Sequence, residues 1–183
     1  MRAGRLDTPT DILVLGAELS VTALPWVWTD ITSKESADPN YPSGLRSPAK
    51  VEVRAWWNDD LRQGRYLRAE DRLLHIVGVR DWKGDRVEIV MTCDELVGEC
   101  CEYRPAERPP RPCRVFLNHS APYLDDLGQV VDYRLMAEVA LVETGRPQVD
   151  DQLLVGGVLY NVIGIANRGD DGVVRGLWLE EVG

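Results

Sequence analysis

The sequence predicts an all-β protein built from two small β-barrel or β-sandwich units in tandem. Three observations predict it: strand-like alternation of polar and apolar residues, recurrence of one strand set further along the chain, and a proline-rich stretch between the two sets. At 183 residues the chain is long enough for two small domains, each with a core. Hydrophobic residues make up 44% and charged residues 28%, an ordinary globular balance.

The strands follow in order. Lys50-Val51-Glu52-Val53-Arg54-Ala55-Trp56-Trp57 alternates polar and apolar, the period of a half-buried strand. Leu73-Leu74-His75-Ile76-Val77-Gly78-Val79 is continuously apolar apart from one histidine, as expected of a strand covered on both faces. Arg86–Cys93 alternates again and places Val87, Ile89, Met91 and Cys93 on one face. Trp82-Lys83-Gly84-Asp85 supplies a turn, so Leu73–Arg80 and Arg86–Leu96 form a hairpin.

The pattern then returns. Tyr133–Glu143 reads as a strand, and Leu153–Val155 and Val158–Ile165 as a hairpin turning at Gly156-Gly157. Arg168–Gly172 turns the chain into a last strand, Val173–Val182. A shift of 86 residues lays the second set on the first: Glu52-Val53 on Glu138-Val139, Leu67 on Leu153, Leu73 on Leu159, Gly78 on Gly164. Eight of 47 positions are identical. That suits either a duplicated unit or two meanders of similar strand length; the coincident apolar runs, turns and mid-strand glycine favour duplication. Tyr103–Pro112 holds four prolines in ten residues, and proline cannot donate to a sheet ladder. The expected boundary therefore lies there, giving domains 1–103 and 104–183.

Two stretches lack periodicity. Residues 32–49 form a long loop in the first unit, and Asn118–Asp132 occupies a similar place in the second. Long irregular segments are either binding loops or tolerated insertions.

Charge and composition narrow the function. The formal charge is −9, which argues against binding nucleic acid by counterion release. An acidic surface can still line a channel through which DNA slides. No apolar run has the length of a membrane span, and Asp7 and Asp11 interrupt any signal-peptide core, so a soluble, cytoplasmic chain is expected. Cys93, Cys100, Cys101 and Cys113 are then expected as reduced thiols. A zinc-dependent hydrolase using Cys100, Cys101, Cys113 and His119 is a further reading, but adjacent cysteines lack zinc-knuckle spacing. His75 and His119 have no sequence context of a catalytic triad, and the paired carboxylates read as solvated turns. No catalytic residue, metal site or cofactor is expected, and the chain is read as a structural protein rather than an enzyme.

The tryptophans are more informative. Trp26, Trp28, Trp56, Trp57 and Trp82 suit either a small barrel core or a subunit interface. Adjacent strand residues point to opposite faces, so one of Trp56 and Trp57 faces outward, where it suggests an interface.

In its first 98 residues the chain resembles the head–tail joining, or head-closure, family of tailed bacteriophages. The resemblance rests on Arg5–Leu13, then Trp26-Val27-Trp28-Thr29-Asp30-Ile31, a loop, Val51–Leu61, Arg65-Tyr66-Leu67-Arg68, and the hairpin Leu73–Leu96 ending in Thr92-Cys93-Asp94-Glu95-Leu96. It implies a neck protein of the virion, made in the host cytoplasm, that helps close the DNA channel. Its partners would be copies of itself in a ring of six or twelve, the portal or adaptor protein, and the tail terminator or tail tube. Packaged DNA would pass without sequence-specific binding, and no membrane is involved. A tail or baseplate β-module is the alternative. Partner contacts are expected in the 32–49 loop, at Lys34, Tyr41, Arg46 and Lys50, and at Trp56 and Trp57. The extension Cys113–Gly183 departs from the family pattern.

Overall fold

The chain folds into two all-β units, 1–97 and 98–183, in a computed structural model that describes residues 6–33, 44–125, 127–166 and 170–182. The first unit contains β1 (Thr8–Leu15), β2 (Val21–Ser33), β3 (Arg46–Trp56), β4 (Tyr66–Ala69), β5 (Arg72–Asp81) and β6 (Glu88–Leu96). They close into a barrel in the order β1-β2-β3-β6-β5-β4. The second unit contains β7 (Glu99–Arg104), β8 (Arg111–Leu124), β9 (Val130–Ala140), the single-turn helix α1 (Leu141–Thr144), β10 (Gln152–Val155), β11 (Val158–Ala166) and β12 (Val174–Glu181). Its barrel reads β7-β8-β9-β12-β11-β10, the same order. Closure satisfies the strand edges that an open sheet would leave unpaired.

The likeness extends to register. β4 and β5 pair Tyr66 with His75 and Leu67 with Leu74; β10 and β11 pair Gln152 with Asn161 and Leu153 with Tyr160. Each position is 86 residues on. The β5–β6 ladder slips between Ile76 and Gly78, and the β11–β12 ladder slips between Val162 and Gly164, again 86 residues on. A bulge adds one unpaired residue and bends its strand, so the same irregularity at the same place is a conformational match that sequence identity alone would not show. Glu70, at φ 53°, corresponds to Gly156 at 56°, and Gly64, at 85°, to Asp150 at 71°.

Three expectations need correction. The unit boundary falls between Val97 and Gly98, not in Tyr103–Pro112. β7 pairs with β8 and with β10, so the proline-rich segment is the β7–β8 hairpin of the second barrel and not a linker. Its prolines lie mostly in the turn; Pro112 sits near the start of β8, where proline is tolerated. Second, β3 and β9 correspond at a shift of 84. Glu52 pairs with Thr92, whereas Met136 pairs with Trp178. The two extra residues of the second unit lie between β9 and β10, where the chain forms α1. Because the discrepancy is two residues, the faces of the strand are unchanged. Asn118–Asp132 is not a loop either: β8 runs to Leu124 and β9 starts at Val130, so most of it is the end of a long hairpin.

Each barrel encloses its own core. In the first, Ile12, Val51, Val53, Ala55, Leu67, Leu74, Ile76, Ile89, Met91 and Cys93 are buried together. In the second the set includes Tyr103, Val115, Ala137, Val139, Leu153, Val162, Leu177 and Leu179. Ile89, Met91 and Cys93 share one face as the alternation predicts, while Val87 precedes β6 and is exposed. Leu73 and Leu74 are both buried, as a strand covered on two sides requires, but that cover ends before Val79. No tryptophan belongs to either buried core; six strands enclose a channel too narrow for many indoles, and branched aliphatics fill it.

Candidate functional site

The tryptophans lie instead on the outside of the first barrel. In β2, Thr29 is fully buried and hydrogen-bonds Thr10, Oγ1 to Oγ1, at 2.7 Å. Strand alternation then turns Trp26 and Trp28 outward, and they are 55% and 47% exposed. Their rings meet edge to face with centroids 5.2 Å apart. Thr29 pairs with Ala55, so Trp56 stands on β3 beside Trp28 on β2; it is 62% exposed. Trp56 pairs with Glu88 on β6, and the Trp82 backbone N–H donates to the Glu88 carbonyl at 3.0 Å. Four tryptophans thus cross β2, β3, β6 and the end of β5 along one side of the barrel.

Two arginines hold the far end of this stripe. The Arg54 and Arg80 guanidinium carbons lie 4.6 and 4.9 Å from the Trp82 ring centroid. Arg54 also pairs with Glu52 at 2.9 Å and reaches Glu88 at 3.7 Å. Cation–π contact and the ion pairs fix the side chains that frame the indoles, lowering the entropy cost of docking there. The turn beside Trp82 is also fixed. Asp81 accepts from the backbone N–H groups of Lys83, Gly84 and Arg86. Desolvation, the largest single effect, raises its carboxyl, but the N–H groups of Arg86, Gly84, Lys83 and Asp85 together outweigh it and hold the carboxyl below the usual range.

Trp56 and Trp57 separate as adjacent strand residues must. Trp56 faces outward, and Trp57 packs against the core, with the Arg86 guanidinium 5.8 Å from its ring. The loop residues fare differently. Lys34 and Tyr41 lie outside the described residues. Arg46 and Lys50 both reach Asp94, a carboxylate on the outer face of β6 that they help to bury; Arg46 approaches to 3.5 Å and Lys50 hydrogen-bonds it. A buried carboxylate needs such partners, so these two cations serve the barrel first. His75 lies against the Tyr66 ring, 5.0 Å between centroids, as a packed strand residue.

The proposed zinc ligands do not gather as a set: of the four, Cys101 and Cys113 meet. Cys101 and Cys113 face into the second barrel while Cys100 is exposed. Among the described residues no group of three or more histidine, cysteine or carboxylate side chains is arranged to hold a metal ion. No described helix is long and apolar enough to cross a membrane.

Sequence reasoning weighed Trp26 and Trp28 but did not decide their face. The deciding signal was present: Trp26-Val27-Trp28-Thr29 alternates, so both indoles share a face whichever way it points. A second apolar surface went unnoticed. At the tip of the β8–β9 hairpin Leu127, Val130, Val131 and Tyr133 are exposed, Leu127 to 84%. Comparison of the chain with protein-family models, curated proteins and solved structures finds no match.

Proposed function

We propose that the chain is a structural assembly protein of the tailed-phage neck, in which the tryptophan face of the first barrel docks on a second copy to build a ring. The observation that carries this reading is that the fold does not need that face. The second barrel repeats the strand order and registers of the first. Yet where the first has Trp26, Trp28 and Trp56 it has Pro112, Arg114 and Ala140, and Arg114 is tied to Glu143 at 3.0 Å. Surface tryptophans that a duplicate barrel omits are retained for something other than folding, and clustered exposed aromatics are the usual anchors of protein interfaces.

The magnitudes are adequate. A tryptophan buries about 150–250 Å², so covering the exposed parts of four removes on the order of 400 Å² from water. At ~25 cal/mol per Å² that is roughly 10 kcal/mol before the cost of association, which itself lies at about 4–15 kcal/mol. The patch alone therefore gives a weak contact, one that a closed ring with neighbouring components would reinforce. Charge agrees with a channel role: residues 1–97 carry 13 basic and 16 acidic side chains, and residues 98–183 carry 8 and 14. Neither barrel attracts a polyanion strongly, so DNA would slide and not stick.

The test is particle mass in concentrated solution, by light scattering, with and without purified portal–adaptor complex. A ring that forms alone or on the complex, and is lost in Trp28→Ala/Trp56→Ala, supports the reading. A wild-type monomer that ignores the complex overturns it and directs attention to the tail or baseplate.

A further inference from the structure

A different observation, independent of how the first barrel docks, lies in the second. Cys101 on β7 and Cys113 on β8 are directly opposed in the antiparallel ladder. Both point into the barrel, 7% and 6% exposed, and their Sγ atoms are 2.9 Å apart. Opposed antiparallel residues have Cα atoms about 4.5–5.5 Å apart, inside the span of about 4.4–6.8 Å that a disulfide bridges. Closing the sulfurs to bonding distance needs side-chain rotation and no strand movement. The first barrel has no such pair: the corresponding positions are Thr10 and Val27.

We propose that Cys101 and Cys113 are a latent cross-strand staple, a dithiol that small-molecule disulfides convert to a bond locking the β7–β8 hairpin. The exchange balances in two steps. One cysteine thiolate attacks a disulfide RSSR and expels RS⁻; the second cysteine then attacks that mixed disulfide and expels another RS⁻. The two cysteines lose two electrons and two protons, and RSSR becomes two RSH. The cleft of about 360 Å³ beside Arg111 is lined by Cys100, Glu102, Pro112 and Leu154, whose side chains alternate away from the two thiols, so a reagent reaches the pair as the hairpin opens. Arg111 there favours the Cys113 thiolate. Against that, the hydrogen bond with Cys101 and burial push the Cys113 thiol well above its ordinary range, so the pair reacts slowly while the barrel is closed. A staple of this kind stays open in a reducing compartment and closes in an oxidising one.

The hairpin is worth locking. Its turn carries the prolines and is held by one buried carboxylate: Asp151 accepts from the Tyr103 hydroxyl, from Ala106 N–H at 3.0 Å and from Gln148 N–H at 2.7 Å. Two of these bonds, from Tyr103 and Ala106, tie down the turn between β7 and β8, which lacks a regular ladder, and Arg111 adds a hydrogen bond to the Thr144 carbonyl.

The experiment uses the full chain carrying Cys100→Ser, which removes the exposed thiol and leaves Cys93, Cys101 and Cys113. It is held with oxidised glutathione at mildly alkaline pH, quenched in acid, alkylated under denaturing conditions and weighed by mass spectrometry. The expected product is lighter by two hydrogens, with one alkylated cysteine, Cys93, and a peptide linking Cys101 to Cys113. Its melting temperature should rise by roughly 5 °C or more and fall back on reduction. Three alkylated cysteines, a glutathione adduct in place of the link, or a linked product that melts lower would each overturn the proposal.

Discussion

The two barrels share a strand order, a ladder slip and positive-φ turn positions, yet they share almost no surface. Inside, like replaces like: Leu67 corresponds to Leu153, Ile76 to Val162 and Met91 to Leu177, all buried. Outside, little is kept beyond a turn aspartate, Asp85 and Asp171, which in each barrel accepts from the N–H two residues on. The first barrel carries indoles framed by Arg54 and Arg80; the second carries ion pairs and an apolar hairpin tip. A small barrel constrains its inward positions by volume and its turns by dihedral angle, and leaves outward positions open. The difference between the two exteriors is therefore where function is to be sought.

Matched core deletions test the claim that the interiors are equivalent, and they should give the largest effects. Leu67→Ala and Leu153→Ala each empty a fully buried leucine site and should each cost about 2–5 kcal/mol. Five of the six tryptophans lie in the first unit and Trp178 in the second, so indole fluorescence follows mainly the first barrel. In denaturant titrations Leu67→Ala should shift the fluorescence transition to lower denaturant, and Leu153→Ala should shift it much less. Equal shifts would mean that the two barrels unfold as one cooperative unit.

Alkaline pH should separate the barrels next. Cys93 sits in the first core where the second has Leu179. Burial, with the Asp94 charge adding to it, pushes the Cys93 thiol up to about 12 from 9.0. The folded state therefore holds this proton more tightly than the unfolded chain. Its stabilisation is complete below about pH 9 and is lost as pH rises through about 12, by up to ~4 kcal/mol at full ionisation. Cys93→Val should flatten the fall in the fluorescence-detected melting temperature between pH 9 and pH 11. An unchanged slope would show that the thiol is not what titrates.

Asp151 has no counterpart; the corresponding residue of the first barrel is Arg65, which pairs with Asp60 at 2.9 Å. Asp151→Ala leaves the Tyr103 hydroxyl and two backbone donors without their acceptor, so it should cost about 2–3 kcal/mol. Hydrogen exchange at Ala106 and Gln148 would locate the loss. Faster exchange confined to those amides would show a local tether, and faster exchange throughout β7–β12 a global one.

How much of this was legible in sequence depended on whether the signal was local. Hairpins β5–β6 and β10–β11 were readable because alternation, turn residues and the glycines 78 and 164 lie within a few positions of one another. The boundary was not. Four prolines resemble a linker until β7 is known to pair with β10, about 50 residues away, and no local pattern carries that pairing. The 84-residue shift at β3 and β9 was hidden for a related reason: a two-residue insertion keeps the face alternation intact. At the candidate site, the opposite faces of Trp56 and Trp57 followed from strand parity. That Arg46 and Lys50 converge on Asp94 did not, because it needs the β3–β6 register.

The smallest effect on stability should accompany the largest on assembly. Trp28→Ala/Trp56→Ala removes surface that is already half in water and leaves every barrel ladder intact, so stability should change by less than about 1 kcal/mol. Placing Trp28 and Trp56 at the matching sites of the second barrel, as Arg114→Trp/Ala140→Trp, inverts the comparison. Arg114 is tied to Glu143, and Ala140 is fully buried beside α1, so that variant should be destabilised and should gain no new association. If stripping the indoles instead unfolded the first barrel, they would be part of its packing after all. The contrast between the two exteriors would then have a structural cause, and the docking surface would have to be sought at the exposed tip of β8–β9.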